Sequence, residues 1–335
     1  MRIIAGIIIL GLIGWCGWWF VGSSAQEDAW ESWFQERKDV GWVAENSDIS
    51  VRGFPNRFDT TISDFQLADT QSGWAWSAPF FQIFMLSYKP NHVIAVWPDT
   101  QKVSGPQDTV TVTNDVMRGS VVFLPNTDLT LDTTQIEIKG MGFLGQNWTA
   151  GLESANFATR RVEPENAPDF AHQIGFDAIN LTLSERLKNT FDPAGILPPT
   201  LERAHLDVTA AFDAPWDRHS IEGRKPQLTV ISVKDINITW GKLNLKANGK
   251  LKVDARGYPN GDLKLKARNW QEMLSMAAAS GLISRDIAKT VKDALRFISA
   301  LGGDGNTLNV PLSFANGAIR LGPIPIGQAP RLVIQ

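Results

Sequence analysis

Leu243, Leu245 and Ala247 alternate with Lys242, Asn244 and Lys246. Leu251, Val253 and Ala255 alternate with Lys250, Lys252 and Asp254. Leu263, Leu265 and Ala267 alternate with Lys264, Lys266 and Arg268. A period of two sorts side chains onto opposite faces of a strand, and a helix cannot reproduce it. The same alternation returns in TVTVTNDV from Thr109, SVVFLP from Ser120, LTLDTTQIEIKG from Leu129, HLDVTAAFD from His205 and LTVISVKDINITW from Leu228. Short alternating runs broken by Gly, Pro, Asn and Asp predict antiparallel sheet with one wet face.

Arg-Gly-aromatic-Pro-Asn occurs twice, at 52–56 and at 256–260. Each copy lies between alternating apolar residues, so each is read as a hairpin corner, with Pro fixing φ and Gly supplying freedom at the bend. Keeping apolar residues on one face pairs Val51 with Phe58 in the first copy. In the second it pairs Ala255 with Leu263, which sets Arg256 opposite Asp262 and Asp254 opposite Lys264. The same rule pairs Leu245 with Leu251 around a three-residue loop, Ala247-Asn248-Gly249. Phe54 and Tyr258 are expected to tuck under the sheet edge.

The first 26 residues hold one charge, Arg2. As a helix, Ile3 to Val21 would be ~30 Å long, about one bilayer core. Trp18 and Trp19 fall at its far end, where indoles prefer the headgroup layer. This is read as an uncleaved anchor with Arg2 on the cytoplasmic side; the rival is a signal peptide cut near Ser23-Ser24-Ala25. Cys16 follows Trp15, which disfavours a lipoprotein site, and a lone cysteine excludes an intramolecular disulfide. Ala29, Trp30, Trp33, Phe34 and Val40 then give an amphipathic helix, lying on the bilayer or packed on the domain.

The predicted fold class is α+β, mainly antiparallel β: two related β-rich modules with a helical layer, preceded by one N-terminal transmembrane helix. Residues 1–25 form the anchor or signal segment, 26–165 the first module with its leading amphipathic helix, and 166–335 the second. Helices are expected near 184–191 and 270–301, the latter broken at Gly281 with Ser284 capping its second half. Proline-rich connections near 164–168 and 193–199 mark the seam.

Four stretches, GFPNRFDTTISDFQLAD, WSAPFFQIFMLSYKPNHVIAVWP, RGYPNGDLKLKARNWQEML and LNVPLSFANGAIRLGPIPIGQAP, resemble the DUF2125 family of bacterial proteins. The resemblance covers nearly all of the chain after the anchor and implies an envelope protein of alphaproteobacterial type. It brings no activity and no functional residues. The strand, Gly, strand, helix order of 249–283 is also similar in pattern to AsmA-like envelope proteins, which are membrane-anchored and implicated in lipid homeostasis.

Gly140-Met141-Gly142-Phe143-Leu144-Gly145 matches G-x-G-x-x-G, but no helix pattern follows it, so it is read as a glycine-rich β corner and not a dinucleotide loop. His219 near Asp213 and Asp217, and His205 near Asp207, read as polar surface groups before metal or catalytic sites. No hydrolase or nucleotide-binding signature is present. Asn147, Asn180 and Asn237 head formal glycosylation sequons, which matter only in a eukaryotic secretory route. A net charge of −3 argues against nucleic acid as a partner. The chain is therefore expected to be no enzyme and to hold no cofactor.

Two features suggest binding. An apolar groove between sheets is drawn from Phe80, Phe81, Phe84, Leu86, Val96, Leu245, Leu251, Val253, Leu263 and Leu265. A basic outer face is drawn from Lys242, Lys246, Lys250, Lys252, Lys264, Lys266 and Arg268, as edge-protecting charges or contacts to anionic headgroups. The expected function is a single-pass inner-membrane protein with its bulk in the periplasm, binding lipid or another amphiphile. The alternative is a structural protein docking an envelope partner, and a hydrolase stands third.

Overall fold

The computed structural model describes residues 1–165, 167–193, 195–281, 283–301 and 305–334. The connections expected near 164–168 and 193–199, and the break between the late helices, contain Asn166, Ala194 and Leu282, which lie outside the described residues. The chain forms two compact units. One comprises 1–123 and 136–147, the other 124–135 and 148–335. The division thus falls at Asn147 rather than near 165, because the strand that starts at Thr149 pairs residue by residue with the one after it.

The first unit opens with α1 (Arg2–Asp39), one unbroken helix where an anchor and a separate amphipathic helix were expected. Its strands are β1 (Val43–Glu45), β2 (Asp48–Arg52), β3 (Arg57–Asp69), β4 (Trp74–Leu86), β5 (Lys89–Val96), β6 (Thr100–Ser104), β7 (Thr109–Thr113), β8 (Val116–Phe123) and the latter part of β9 (Leu131–Leu144). All their pairings are antiparallel. β3 carries β1 and β2 on one side and β4 on the other; β4 in turn carries β5 at one end and β6 at the other.

Along β3, Phe58, Thr60 and Ile62 are buried, and the next buried residue is Phe65, three positions on. The alternation resets at Asp64, which has a φ of +46°. Ala78 and Phe81 reset in step on β4, so Ile62, Phe65, Ala78 and Phe81 stay in one cluster. The second half of α1 lies on this face. Phe34 is buried there, with Trp30 and Trp33 beside it, which settles the amphipathic segment as packed on its domain. Burying a phenylalanine side chain of this kind stabilises by roughly 1.5–3 kcal/mol.

After the start of β9, the second unit continues with β10 (Thr149–Arg161), β11 (His172–Thr182), α2 (Glu185–Phe191), β12 (Thr200–Phe212), α3 (His219–Glu222), β13 (Leu228–Trp240), β14 (Leu243–Val253) and β15 (Pro259–Arg268). It ends with α4 (Trp270–Ala279), α5 (Arg285–Leu301), β16 (Thr307–Ala315), β17 (Ala318–Leu321) and β18 (Ile324–Gln328). From β10 to β18 each strand pairs antiparallel with the next, a meander with helices inserted between strands. Ser184 caps α2, and the Ser284 hydroxyl accepts from Ile287 N at 3.2 Å, capping α5 as predicted. α4 and α5 cover the sheet over Ala267, Leu308 and Val310, where Val291, Leu295 and Trp270 complete a filled core.

The expected hairpin at 247–249 does not exist: β14 runs straight through it, and Ala247 pairs with Leu265. Asn-Gly usually signals a turn, but Gly249 serves a close approach between strands. A Cβ there would lie 2.2 Å from the Asp262 carbonyl oxygen, and one on Gly261 would lie 2.4 Å from that of Lys250. Both glycines take φ values open to them alone, +149° and +135°.

The real turn before β14 is the two-residue Gly241-Lys242, which pairs Trp240 with Leu243. The corner after it spans Asp254 to Tyr258, pairing Val253 with Pro259. Asp262 therefore faces Lys250 and Lys264 faces Asn248, not the expected Arg256 and Asp254. The Asp254 carboxylate turns this corner by accepting from Arg256 N and Tyr258 N, both at 2.9 Å. Those bonds, the Tyr258 one foremost, hold its pKa below the usual carboxylate range. In the first copy Arg52 pairs with Asp59 and Val51 with Thr60, two residues off the predicted register. Each error is an even number of residues, so the faces were kept. Both motifs do turn the chain, with Gly53 at φ +103° and Gly257 at +87°.

Candidate functional site

The face of β3–β5 opposite α1 is left open. Paired residues share a face, and Phe84 lies directly opposite Ile94, Gln82 opposite Val96 and Ser63 opposite Phe80. Phe80, Phe84, Leu86 and Val96 thus fall on the open face and are half-buried. Phe81 turns the other way, its ring 6.3 Å from Phe65 and 5.6 Å from Trp76.

At the β2–β3 end of this face lies a cleft of about 500 Å³, lined by Arg57, Asp59, Phe84, Met85, Leu86, His92 and Ile94. That volume is in the range of small-molecule sites. Arg57 and Asp59 form an ion pair at its rim, and the carboxylate holds the guanidinium charged beyond its ordinary range. Phe80 and Val96 continue the apolar strip along the strands outside the cleft. Arg57, Asp59 and His92 were not among the expected residues. Their signal was the cross-strand register, Arg57 to Leu86 and Asp59 to Phe84, which local pattern alone does not give.

The cleft lies at the same end of β3 as the junction with α1, which packs on the other face of the sheet. Trp19 Nε1 donates to the Arg57 carbonyl at 2.7 Å, and Trp19 is buried with Val51 and Phe58, flanked by Met85. A Cβ on Gly22 would lie 2.6 Å from Phe58 Cζ, so the Phe58 ring packs directly against the helix at this glycine. Gln26 Oε1 accepts from Thr60 Oγ1 at 3.1 Å and Glu27 Oε1 from Val51 N at 2.9 Å. α1 is long enough to cross a membrane and holds an apolar, mostly exposed stretch with a mean hydropathy of 2.1.

The other expected groove residues belong to the second unit. Leu245, Leu251, Val253, Leu263 and Leu265 do share one face of β14 and β15, as the alternation required. Leu251 is buried, and Leu245 packs against the cluster built by α4 and α5. On the opposite face Lys246, Lys250, Lys252, Lys264, Lys266 and Arg268 are exposed, with Lys246 directly across from Lys266. Lys242 stands apart in its turn. Its Nζ lies 3.0 Å from Glu272 Oε1 and holds that carboxyl below its usual range.

The histidine readings come apart in space. His219 Nε2 is 3.7 Å from Asp128, while Asp213 is paired with Arg224 and Asp217 accepts from Ser220 N at 3.1 Å. His205 lies 3.5 Å from Asp177 and 3.9 Å from Asp235. Among the described residues no three His, Cys, Asp or Glu side chains gather as a metal site. Gly140 and Gly142 lie within β9, an antiparallel strand and not a loop opening a helix.

No curated protein and no solved structure matches the chain. A family match does exist: DUF2125, described as an uncharacterized protein conserved in bacteria, matches residues 19–330. That span runs from Trp19 at the helix–sheet junction to Pro330 after β18 and takes in both units. The chain therefore belongs to the DUF2125 family.

Proposed function

We propose that this is a non-enzymatic protein of the bacterial envelope, tethered to the inner membrane by α1 with its bulk in the periplasm, that holds a lipid or similar amphiphile on the open face of β4 and β5. One observation carries the reading: an apolar cleft, floored by Phe84, Leu86 and Ile94 and rimmed by Arg57, opens at the end of β3 that Trp19 ties to the apolar half of α1. An acyl chain suits such a floor, and a planar guanidinium suits a phosphate or carboxylate head. Arg2 precedes the apolar run, so the positive-inside preference leaves the remainder of the chain on the far side.

The full chain, purified in mild detergent, is expected to yield a co-purifying amphiphile by mass spectrometry and to take up a fluorescent fatty acid. Phe84→Asp is expected to abolish both. No bound amphiphile together with no uptake sinks the reading.

The second reading, an interaction protein docking an envelope partner, draws on the basic face of β14–β15. Like charges such as Lys246 and Lys266 directly opposite one another destabilise a sheet. An acidic partner would relieve that cost.

A further inference from the structure

Two exposed aromatic side chains, Phe20 and Phe54, stand together near the end of the uncharged stretch of α1, and Trp18 is exposed at the same level of the helix. Trp18 is 57% exposed, Phe20 60% and Phe54 51%. Phe54 belongs to the β2–β3 corner, yet it is fastened to the helix: its ring centroid lies 5.6 Å from Phe20 and 5.4 Å from Trp19. The corner is thereby fixed at the level of residues 19–20. The next charge along α1, Glu27, is seven residues on, which is ~10 Å at ~1.5 Å per residue.

The β4–β5 turn reaches the same level. Ser87 N donates to the Asn56 carbonyl at 2.9 Å, and the neighbouring Tyr88 is 63% exposed. Arg52, Arg57 and Lys89, all exposed, flank Phe54 and Tyr88 in the same corner and turn. Water is a poor solvent for such a collection, and a soluble surface seldom gathers it. Indole, phenol and cationic side chains around an apolar centre are what the headgroup layer of a bilayer selects. The patch is continuous with the apolar surface of α1 that would meet the acyl chains.

We infer that the β2–β3 corner at Phe54 and the β4–β5 turn at Tyr88 are immersed in the headgroup layer of the membrane that α1 spans, so that the mouth of the Arg57–Leu86 cleft opens at the lipid surface. The inference rests on reading α1 as a span and refines the proposed function. The amphiphile enters sideways from the bilayer, not through water. Phe54 and Phe20 act as a foot that sets the first unit's height above the membrane.

The test places a bimane label, one at a time, at Ile8→Cys, Phe54→Cys, Tyr88→Cys and Gln71→Cys in a full chain carrying Cys16→Ser, in liposomes with lipid-borne spin quenchers. Gln71 lies in the β3–β4 turn, ~40 Å from the corner along a 13-residue strand. The label at position 8 should lose emission to a quencher deep in the acyl region. Labels at 54 and 88 should lose it to a quencher near the headgroup, and the label at 71 to neither. Quenching at 8 with none at 54 or 88 overturns the inference and leaves the anchor standing. No quenching at 8 removes the anchor reading itself, and the inference falls with it. Disulfide-linked dimers of Phe54→Cys, with its label shielded from lipid, would assign the patch to a second copy and also overturn it.

Discussion

The leucine face of β14–β15 and the phenylalanine face of β4–β5 carry apolar side chains at the same two-residue spacing, and they meet opposite fates. In the second unit α4 and α5 cover the Leu245–Ala267 end of the face, where Leu245 packs against Val291, Leu295 and Trp270 in a core. In the first unit the one large helix takes the other side of the sheet, over Ile62, Phe65 and Phe81, and leaves Phe84 and Ile94 half-exposed around a cleft. A period of two says that a face is apolar, not what covers it. Core and groove differ in the availability of a helix, which the strand cannot encode.

This contrast can be broken by substitution. Leu295→Ala removes a fully buried α5 side chain from between the helical layer and the sheet and is expected to cost about 2–5 kcal/mol in denaturant unfolding. A loss below 1 kcal/mol would mean that the second apolar face is not a filled core. Gly249→Ala comes next, at roughly 1–3 kcal/mol, because its Cβ meets fixed backbone at Asp262 rather than a movable side chain. Asn248→Ala, one residue away and exposed, is expected to change stability by less than about 0.5 kcal/mol. If the two cost the same, Asn248-Gly249 is a turn after all.

Phe84→Ala sharpens the other half of the comparison. It is expected to lower stability by only about 1 kcal/mol or less, since no second layer packs on it, while fatty-acid uptake falls to background. A large stability loss with uptake intact would make the open face of the first unit a core like that of the second.

The smallest expected effect is a pH slope in the second unit. His172 is buried against Phe212, its ring centroid 6.4 Å away, with Arg161 and Asp132 nearby. Burial first, and the Arg161 charge second, push its pKa down in the folded chain. The unfolded chain then binds a proton that the folded chain refuses. His172 is neutral in both states well above about pH 6.5, and stability falls as pH drops below that value towards the folded pKa. His172→Gln should flatten that slope between pH 7.5 and 5.5 in thermal unfolding. An unchanged slope would place the titrating group elsewhere.

Much of the strand content was legible because alternation is a local property. Leu245, Leu251 and Leu265 share a face and Lys246, Lys250 and Lys264 the other, even though the hairpin used to deduce this was false. A register error of two or six residues preserves parity, so the faces survived while the partners did not. Asn248-Gly249 misled because a turn and a close strand approach both call for glycine, and only the neighbouring strand distinguishes them. The groove residues were legible as apolar but not as a set. Phe80 and Phe81 are adjacent, so one had to face away, and the reset at Asp64 decides which face holds the core.

The amino-acid sequence by itself determined that the chain begins with an apolar helix, continues as antiparallel sheet with one wet face, and belongs with DUF2125. Each of these depends on composition and spacing over a few residues to a few tens. The tertiary structure decided that α1 is continuous, that Trp19 and Gly22 lock it to the β2–β3 corner, and which apolar face stays open. Those outcomes depend on which surfaces compete for one helix. That competition is settled by burial across distances in the chain that no local pattern spans.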